Sequence, residues 1–420
     1  MADARITPVP EEMLLVTDSM RCHGMRDILP SEMERFRRVE EAFRAVCLGW
    51  GYGEIRTPTI ERLHLFTAAG TLSPQMLGRV YSFLDWDGWS GERVVLRPDS
   101  TIPAARLYAE QMAGTPARLF YVQNVLRFAQ GDESREDWQC GVELIGDTFP
   151  QGDVELVLMA VEVLQRLGLS FHLALSHPGI LRTIFSAAGL DLAQQLELYD
   201  RVLEGDVTAL GEVESRLPDS GLSLVSLLSV EGQGTAYLKN LRSALQPLVP
   251  DVAAPLDELA SVSDALARLG VDHRLSPVLV RNFEYYTGPV FHIYCAGIKV
   301  GGGGRYDHLV PLTGGPDTPA SGFALEVGAL SRLTPAQPAA EEHSVAIRAA
   351  SQESADIAAA LALARSLRRA GRRVEVVPAG VPTREGEVLA SAGGFLMGGV
   401  TNARLDSLEE VVRALAGTSS

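Results

Sequence analysis

Strand-like runs lie on both sides of a long helical stretch in this chain, and that interruption constrains the fold more than any other feature. "ARLFYVQNVLRF" and "WQCGVELIG" come before it, and "PVLVRNFEYYTGPVFHIYCA" and "KVGGGGRYDHLV" come after it. Between them, residues 178–270 are mostly helical in pattern and acidic. A sheet drawing on both sets has neighbours far apart in sequence. The expected class is therefore α+β, an antiparallel sheet flanked by helices, rather than the strand–helix–strand repetition of a parallel sheet.

The flanking elements fit that scheme. Residues 1–20 lack periodicity and read as a tail. From Pro30 an amphipathic helix is expected, with Ser31 as N-cap, Glu34 at the capping-box position, and Phe36, Val39, Phe43 and Val46 on the buried face. Gly49 and Gly51 close it. "GEIRTPTIE" reads as a strand that Pro58 interrupts, which suits an edge or an interface. A hairpin follows with Asp87-Gly88 as its turn, then a helix over 101–112. "DVELVLMAVEVLQRLG" is a further helix, and "TPASGFALEVGALSRL" a strand running into a helix. The core is expected to span 21–335, with 178–270 inserted in it. A Pro/Ala/Glu linker at 334–342 leads to a small α/β domain at 343–420.

Composition narrows the function classes. A net charge of -16 argues against a broad, nonspecific grip on nucleic acid, which needs lysine and arginine to displace counterions. Cys22, Cys47, Cys140 and Cys295 are scattered, with no CxxC and no histidine at metal spacing. They read as reduced core thiols, and neither a metal nor a cofactor is expected. No apolar run approaches the ~20 residues of a membrane span, so a cytoplasmic protein is expected.

"VRNFEYYTGPVF" (280–291) sets the functional question, because Arg281, Glu284, Tyr285 and Tyr286 precede an apolar strand. Alone, the segment fits a polar ligand site or an ordinary surface ion pair with two tyrosines straddling a strand. The glycine run 301–304 lacks the Lys-Ser/Thr of a phosphate loop. It suits a backbone that comes close to a ligand or a neighbouring strand.

Five segments in order, "GMRDILP", "LRPDST", "RNFEYYTGPVF", "GGGGRYD" and "SGFALEVGAL", resemble one family with two branches. These are the histidyl-tRNA synthetases and the paralogous regulatory subunits of ATP phosphoribosyltransferase. The resemblance spans about residues 24–335 and implies a class II synthetase core that dimerises around Pro58. It implies that Asp99 and Thr101 hold the ammonium group of L-histidine, although the family usually carries the longer glutamate at Asp99. It gives Glu143 and Tyr286 the two ring nitrogens and Arg281 the carboxylate. Arg127, Gln139, Tyr285 and Tyr306 line the same histidine pocket, and Arg127 also matches a motif 2 arginine that faces ATP in the synthetases.

Two departures bear on that ATP site. An acid of motif 2 is replaced by Ala129, and the motif 3 pattern GFAMGLERL becomes "GFALEVGAL". Ala329 stands in place of the motif 3 arginine and Glu326 in place of a glycine. Catalysis of amino-acid activation needs preorganised cations at the phosphates. "YYTG" and "LRPDSTIPAARL" also resemble the regulatory branch.

The resemblance therefore implies a regulatory subunit without catalysis of its own, forming a homodimer within a hetero-oligomer with the short catalytic subunit. It would serve the first step of histidine biosynthesis and its inhibition by histidine. A divergent histidyl-tRNA synthetase is the alternative, and a free-standing histidine-binding protein a third. "ALALARSLRRAGRRVEVV" resembles part of an anticodon-binding domain, but the following "VPAGVPTREGEVLASAGGFLMGGV" keeps little basic character, so tRNA is not the expected partner.

Overall fold

The computed structural model describes residues 21–68, 78, 80–86, 91–128, 134–147, 150–203, 206–218, 223–279, 286–335, 345–378, 387–397, 403–405 and 410–411. The chain divides into two compact units, Met1–Pro335 and Ala336–Ser420.

Pro30 opens the first helix, α1 (Pro30–Gly49), because its fixed φ suits the first helical position and its missing N–H is not needed there. Leu29 is consequently the N-cap, and no side chain caps the helix. The expected Ser31/Glu34 box thus gives way to a proline start. Phe36, Val39, Phe43 and Val46 are all buried, as their spacing requires. Gly51, at φ +79°, turns the chain out of the helix.

Pro58 splits the next run into β1 (Gly53–Glu54) and β2 (Ile60–Arg62), each at the edge of a sheet. After α2 (Leu63–Ala68), β3 (Ser82–Trp86) and β4 (Gly91–Leu96) pair antiparallel, with β4 also pairing β2. The expected Asp87-Gly88 turn lies outside the described residues. Next come α3 (Thr101–Gln111), β5 (Ala117–Leu126), β6 (Glu136–Ile145), α4 (Gln151–Arg166) and β7 (His172–Ser176).

The helical insertion then runs from α5 (Gly179–Ala187) through α6 (Leu192–Leu203), α7 (Val207–Glu214), α8 (Leu224–Leu228) and α9 (Gly234–Leu245) to α10 (Ala253–Arg268). The sheet resumes with β8 (Arg274–Leu275), β9 (Val290–Cys295) and β10 (Ile298–Arg305). A short helix α11 (Leu309–Leu312) precedes β11 (Ala320–Glu326) and α12 (Val327–Leu333). Neither β7 nor β8 is expected from the sequence.

These strands make one sheet in the order β1-β5-β6-β11-β10-β9-β7-β8. Only the outer pairs β1–β5 and β7–β8 are parallel. Alternation sends Phe120, Cys140, Val142, Phe323, Leu325, Phe291 and Ile293 into one core with α1, α4 and the insertion helices. Phe43 sits between two of them, 5.9 Å from Phe120 and 6.4 Å from Phe323 by ring centroids, both edge-to-face. The other face is polar at its centre. Toward one end it is covered by α3 and α11, where Ile102, Tyr108, Leu119, Ile145, Leu309 and Val310 form a second core.

In the second unit, β12 (Val345–Ala349) lies between β13 (Val374–Val376) and β14 (Val388–Ser391), parallel to both. β15 (Gly394–Met397) and β16 (Ala403–Leu405) extend the sheet, and α13 (Ser354–Arg369) packs Leu363 and Leu367 on Ile347 and Val388. The expected C-terminal helix falls largely outside the described residues. Cys47, Cys140 and Cys295 are buried thiols, but Cys22 is exposed because it precedes α1 and takes no part in the core. Among the described residues no helix is long and apolar enough to cross a membrane.

Phe43→Ala removes a ring enclosed on both sides, and should destabilise the first unit by about 3–5 kcal/mol. Urea unfolding of the full chain, followed by tryptophan fluorescence, measures this; a cost below about 1 kcal/mol would mean that α1 is not clamped to the sheet as described.

Candidate functional site

The polar face of the sheet is laid out by register. Tyr121 stands opposite Gly141, Gln123 opposite Gln139, Glu143 opposite Gly322, and Gln139 also opposite Glu326. Directly opposed residues share a face, so Gln139, Glu143 and Glu326 project on the same side as Tyr121. The glycines make room for them. A Cβ on Gly141 would strike the Tyr121 ring, and one on Gly322 would strike both Glu143 Oε2 and the Tyr306 hydroxyl. The run 301–304 is strand, paired on both sides by β9 and β11, so close strand approach explains it.

Glu143 is 2% exposed and is the centre of the site. The Tyr121 hydroxyl donates to its Oε1 at 3.0 Å, and the Tyr306 hydroxyl donates to its Oε2. Thr101 Oγ1 lies 3.5 Å from the Tyr121 hydroxyl. Asp99, just ahead of α3, turns Oδ1 back to accept the Ile102 N–H at 3.0 Å. Burial raises both carboxyls above the usual range. The Asp99 charge raises Glu143 further, against the lowering effect of its hydroxyl donors. Arg127 and the backbone donors pull Asp99 the other way. Burial also raises the Tyr286 phenol, helped by the Asp99 and Glu143 charges.

A buried Glu143 carboxylate with the half-buried Asp99 charge acting on it is held at a cost that a cation would relieve. The arrangement therefore suits a small ligand that brings positive charge and several N–H donors.

The adjoining stretch of the same face is different. Gln139 Nε2 donates to Glu326 Oε1 at 2.8 Å. Burial raises Glu326, while Gln139, Arg127 and Lys299 offset that rise. Arg127 donates through Nε to the Pro98 carbonyl at 2.8 Å. Lys299 Nζ lies 2.8 Å from His292 Nε2, and burial together with that charge pushes the imidazole down to about 3.

Of the residues singled out from the sequence, Asp99, Thr101, Glu143, Tyr286 and Tyr306 come together. Gln139 and Arg127 lie alongside, engaged with Glu326 and Pro98. Arg281 and Tyr285 lie outside the described residues, as does Ala129. Ala329 packs at the margin of the large core.

Sequence reasoning missed Tyr121, which bridges Thr101 and Glu143. Its signal was its place two residues before Gln123, on the face that carries Gln139 and Glu143. It also missed Arg97, whose buried guanidinium bonds Asn124 O at 2.7 Å, Asn124 Oδ1 at 2.9 Å, Thr57 O at 2.8 Å and Pro58 O at 3.0 Å. Arg97 thereby fixes the strand that delivers Asp99.

Because the Glu143 carboxyl is raised on folding, the folded state holds more protons than the unfolded state above the ordinary carboxylate range. Stability must then fall as pH rises through that window. Glu143→Gln, which keeps the shape and cannot ionise, should lessen that fall. Urea midpoints from pH 5 to 8 check this; identical slopes for variant and parent would show that Glu143 is not held at such a cost.

Comparisons with known proteins place this chain among related proteins. A family model described as histidyl-tRNA synthetase matches residues 24–330. An ATP phosphoribosyltransferase regulatory subunit of Dehalococcoides mccartyi (strain BAV1) is 46% identical over 318 residues, covering 75% of this chain and 76% of the relative. A histidine–tRNA ligase of Archaeoglobus fulgidus is 34% identical over 315 residues, covering 73% of each chain. A crystal structure from Bacillus halodurans, described as an ATP phosphoribosyltransferase regulatory subunit/histidyl-tRNA synthetase, superposes with a TM-score of 0.74. It is 28% identical, and the match covers 87% of this chain and 94% of that one.

Proposed function

The chain belongs to the histidyl-tRNA synthetase family, and from that membership we propose that it serves as a regulatory subunit of ATP phosphoribosyltransferase, sensing L-histidine without catalysis of its own. A regulatory subunit of Dehalococcoides mccartyi is 46% identical to this chain, while one of Desulforamulus reducens and the ligase of Archaeoglobus fulgidus are each 34% identical. The observation that carries the choice is Glu326. Activation of an amino acid by ATP needs cations directed at the phosphates. Here a half-buried carboxylate stands where the synthetase pattern has glycine, hydrogen-bonded to Gln139 and drawing on Arg127 and Lys299. Ala329 leaves the motif 3 cation missing. A phosphate entering that space would meet like charge and a cation already engaged.

The amino-acid side keeps what histidine requires. In this reading Asp99 and Thr101 take the ammonium group, Glu143 and Tyr286 the ring nitrogens, and Arg281 the carboxylate. Tyr306, Tyr285 and Gln139 complete the wall. The protein pairs with a short catalytic subunit in the first step of histidine biosynthesis. Histidine occupying the pocket inhibits the complex by binding its inactive arrangement more tightly, since only differential affinity shifts such an equilibrium.

Calorimetry on the purified chain should show histidine binding that weakens about tenfold to hundredfold in Glu143→Ala and in Tyr286→Phe. Affinity should also drop as pH falls, because both raised carboxyls must be ionised to receive the ligand, and binding should release protons to the buffer. Unchanged affinity in both variants would mean that histidine is bound elsewhere.

With histidine, ATP and Mg the chain should give no histidine-dependent pyrophosphate exchange. Mixed with the short catalytic subunit of the same organism, it should co-elute and raise turnover. Robust exchange, with two separate elution peaks, would install the divergent ligase instead.

A further inference from the structure

The helical insertion grips the Tyr286 wall of the pocket through a closed circuit of side chains. Arg182, on α5, donates through Nη2 to the Tyr286 carbonyl at 3.0 Å. Next along the chain, the Thr287 N–H donates to the Arg305 carbonyl at 2.8 Å, and the Arg305 N–H donates to the Pro289 carbonyl at 3.2 Å. The Arg305 side chain runs against Gly288, where an added Cβ would strike the guanidinium.

That guanidinium reaches two acids. Its Nη2 lies 2.6 Å from Glu258 Oε2 on α10 and 3.4 Å from Asp153 Oδ2 on α4. Glu258 Oε2 is also 3.4 Å from His177 Nε2. His177 Nδ1 accepts the Gly179 N–H at 3.0 Å, at the start of α5. The neutral imidazole therefore carries its proton on Nε2 and donates it to Glu258. From α5 the path runs through Arg182, the Tyr286–Pro289 backbone, Arg305, Glu258 and His177, and returns to α5. Asp153 ties the same guanidinium to the floor, since it accepts from Ser321 Oγ at 3.3 Å, beside Gly322.

We propose that Arg182, Glu258 and Arg305 are positioning residues that couple occupancy of the pocket to the packing of the insertion helices. A ligand that hydrogen-bonds the Tyr286 hydroxyl fixes the backbone of its wall, and this circuit passes the constraint to α5 and α10. Coupling is reciprocal: whatever holds those helices in place tightens the pocket by the same factor. The inference rests on the histidine-sensing reading above, and adds the helical insertion as the element through which occupancy leaves the pocket.

The test uses the full-length chain with L-histidine, and reads both affinity by calorimetry and amide exchange by mass spectrometry. In the parent protein, histidine should slow exchange across 179–187 and 253–268. Arg182→Gln should weaken binding on the order of tenfold and abolish that protection. Arg182→Lys, which keeps a cationic donor and more of its reach, should restore part of both. Glu258→Gln is the second variant, expected to act in the same direction, and it decides the matter if Arg182→Gln fails to fold. If the parent binds histidine but neither helix gains protection, and both glutamine variants bind as the parent does, the coupling is refuted while the sensing function stands. If the parent binds no histidine at all, the sensing reading fails first and takes the coupling with it.

Discussion

A carboxylate buried on the face of a β-sheet is a costly thing to build, and much of the first unit is arranged around one. Desolvating Glu143 would be worth several kcal/mol against folding if nothing met its oxygens. The chain meets them with two tyrosine hydroxyls from different parts of the fold, Tyr121 on the adjacent strand and Tyr306 just beyond β10. Those rings fit only because Gly141 and Gly322 have no side chains in their way. Asp99 then adds a second negative charge near the first, which local stability does not require. Among the described residues no cation pairs with Glu143, and a carboxyl this expensive and this well supported marks a candidate ligand site.

Glu326 makes the contrast on the same face, on the strand next to Glu143. It is half-buried and also raised, but its demands are answered from within: Gln139 donates to it, and Arg127 and Lys299 lie close enough to offset its charge. In the reading proposed above, one carboxylate receives a ligand and the other stands where one would bind. Sequence differences of one or two residues in motif 3 therefore act through charge balance. The fold is left intact, as the shared architecture with solved synthetase-like structures requires.

The large elements were legible in the sequence because their periodicity is strong. Phe36, Val39, Phe43 and Val46 at helical spacing mark α1, and alternating apolar runs mark β5, β6, β9 and β11. The capping of α1 was misread because Ser31 and Glu34 match a familiar box while Pro30 already occupies the first helical position. β7 and β8 were missed because one is five residues long and the other two, so neither carries a periodic signal. In the site, acids and hydroxyls within recognisable segments were legible. Tyr121 was not, because on a strand only the register separates a core tyrosine from a site tyrosine. The engagement of Gln139 with Glu326 was hidden for the same reason: the two are 187 residues apart and meet only through the pairing of β6 with β11.

The placement of the insertion follows from strand pairing as well. β7 and β9 are antiparallel neighbours, with Leu173 opposite Ile293 and Ser176 opposite Val290. The chain therefore leaves the sheet at His177 beside the point where it re-enters at Pro289. β8 lies on the outer side of β7, parallel to it, so the return path also passes this end of the sheet. A helical segment spliced after β7 must begin next to the residues that precede β9, Tyr286 among them, and this one ends at the opposite end of β7, where β8 starts. Contact between the start of the insertion and the pocket wall is thus a consequence of topology. What the sequence adds is its chemistry: a charged grip through Arg182, Glu258 and Arg305, where an apolar contact would have filled the space without fixing the direction of the Tyr286 carbonyl.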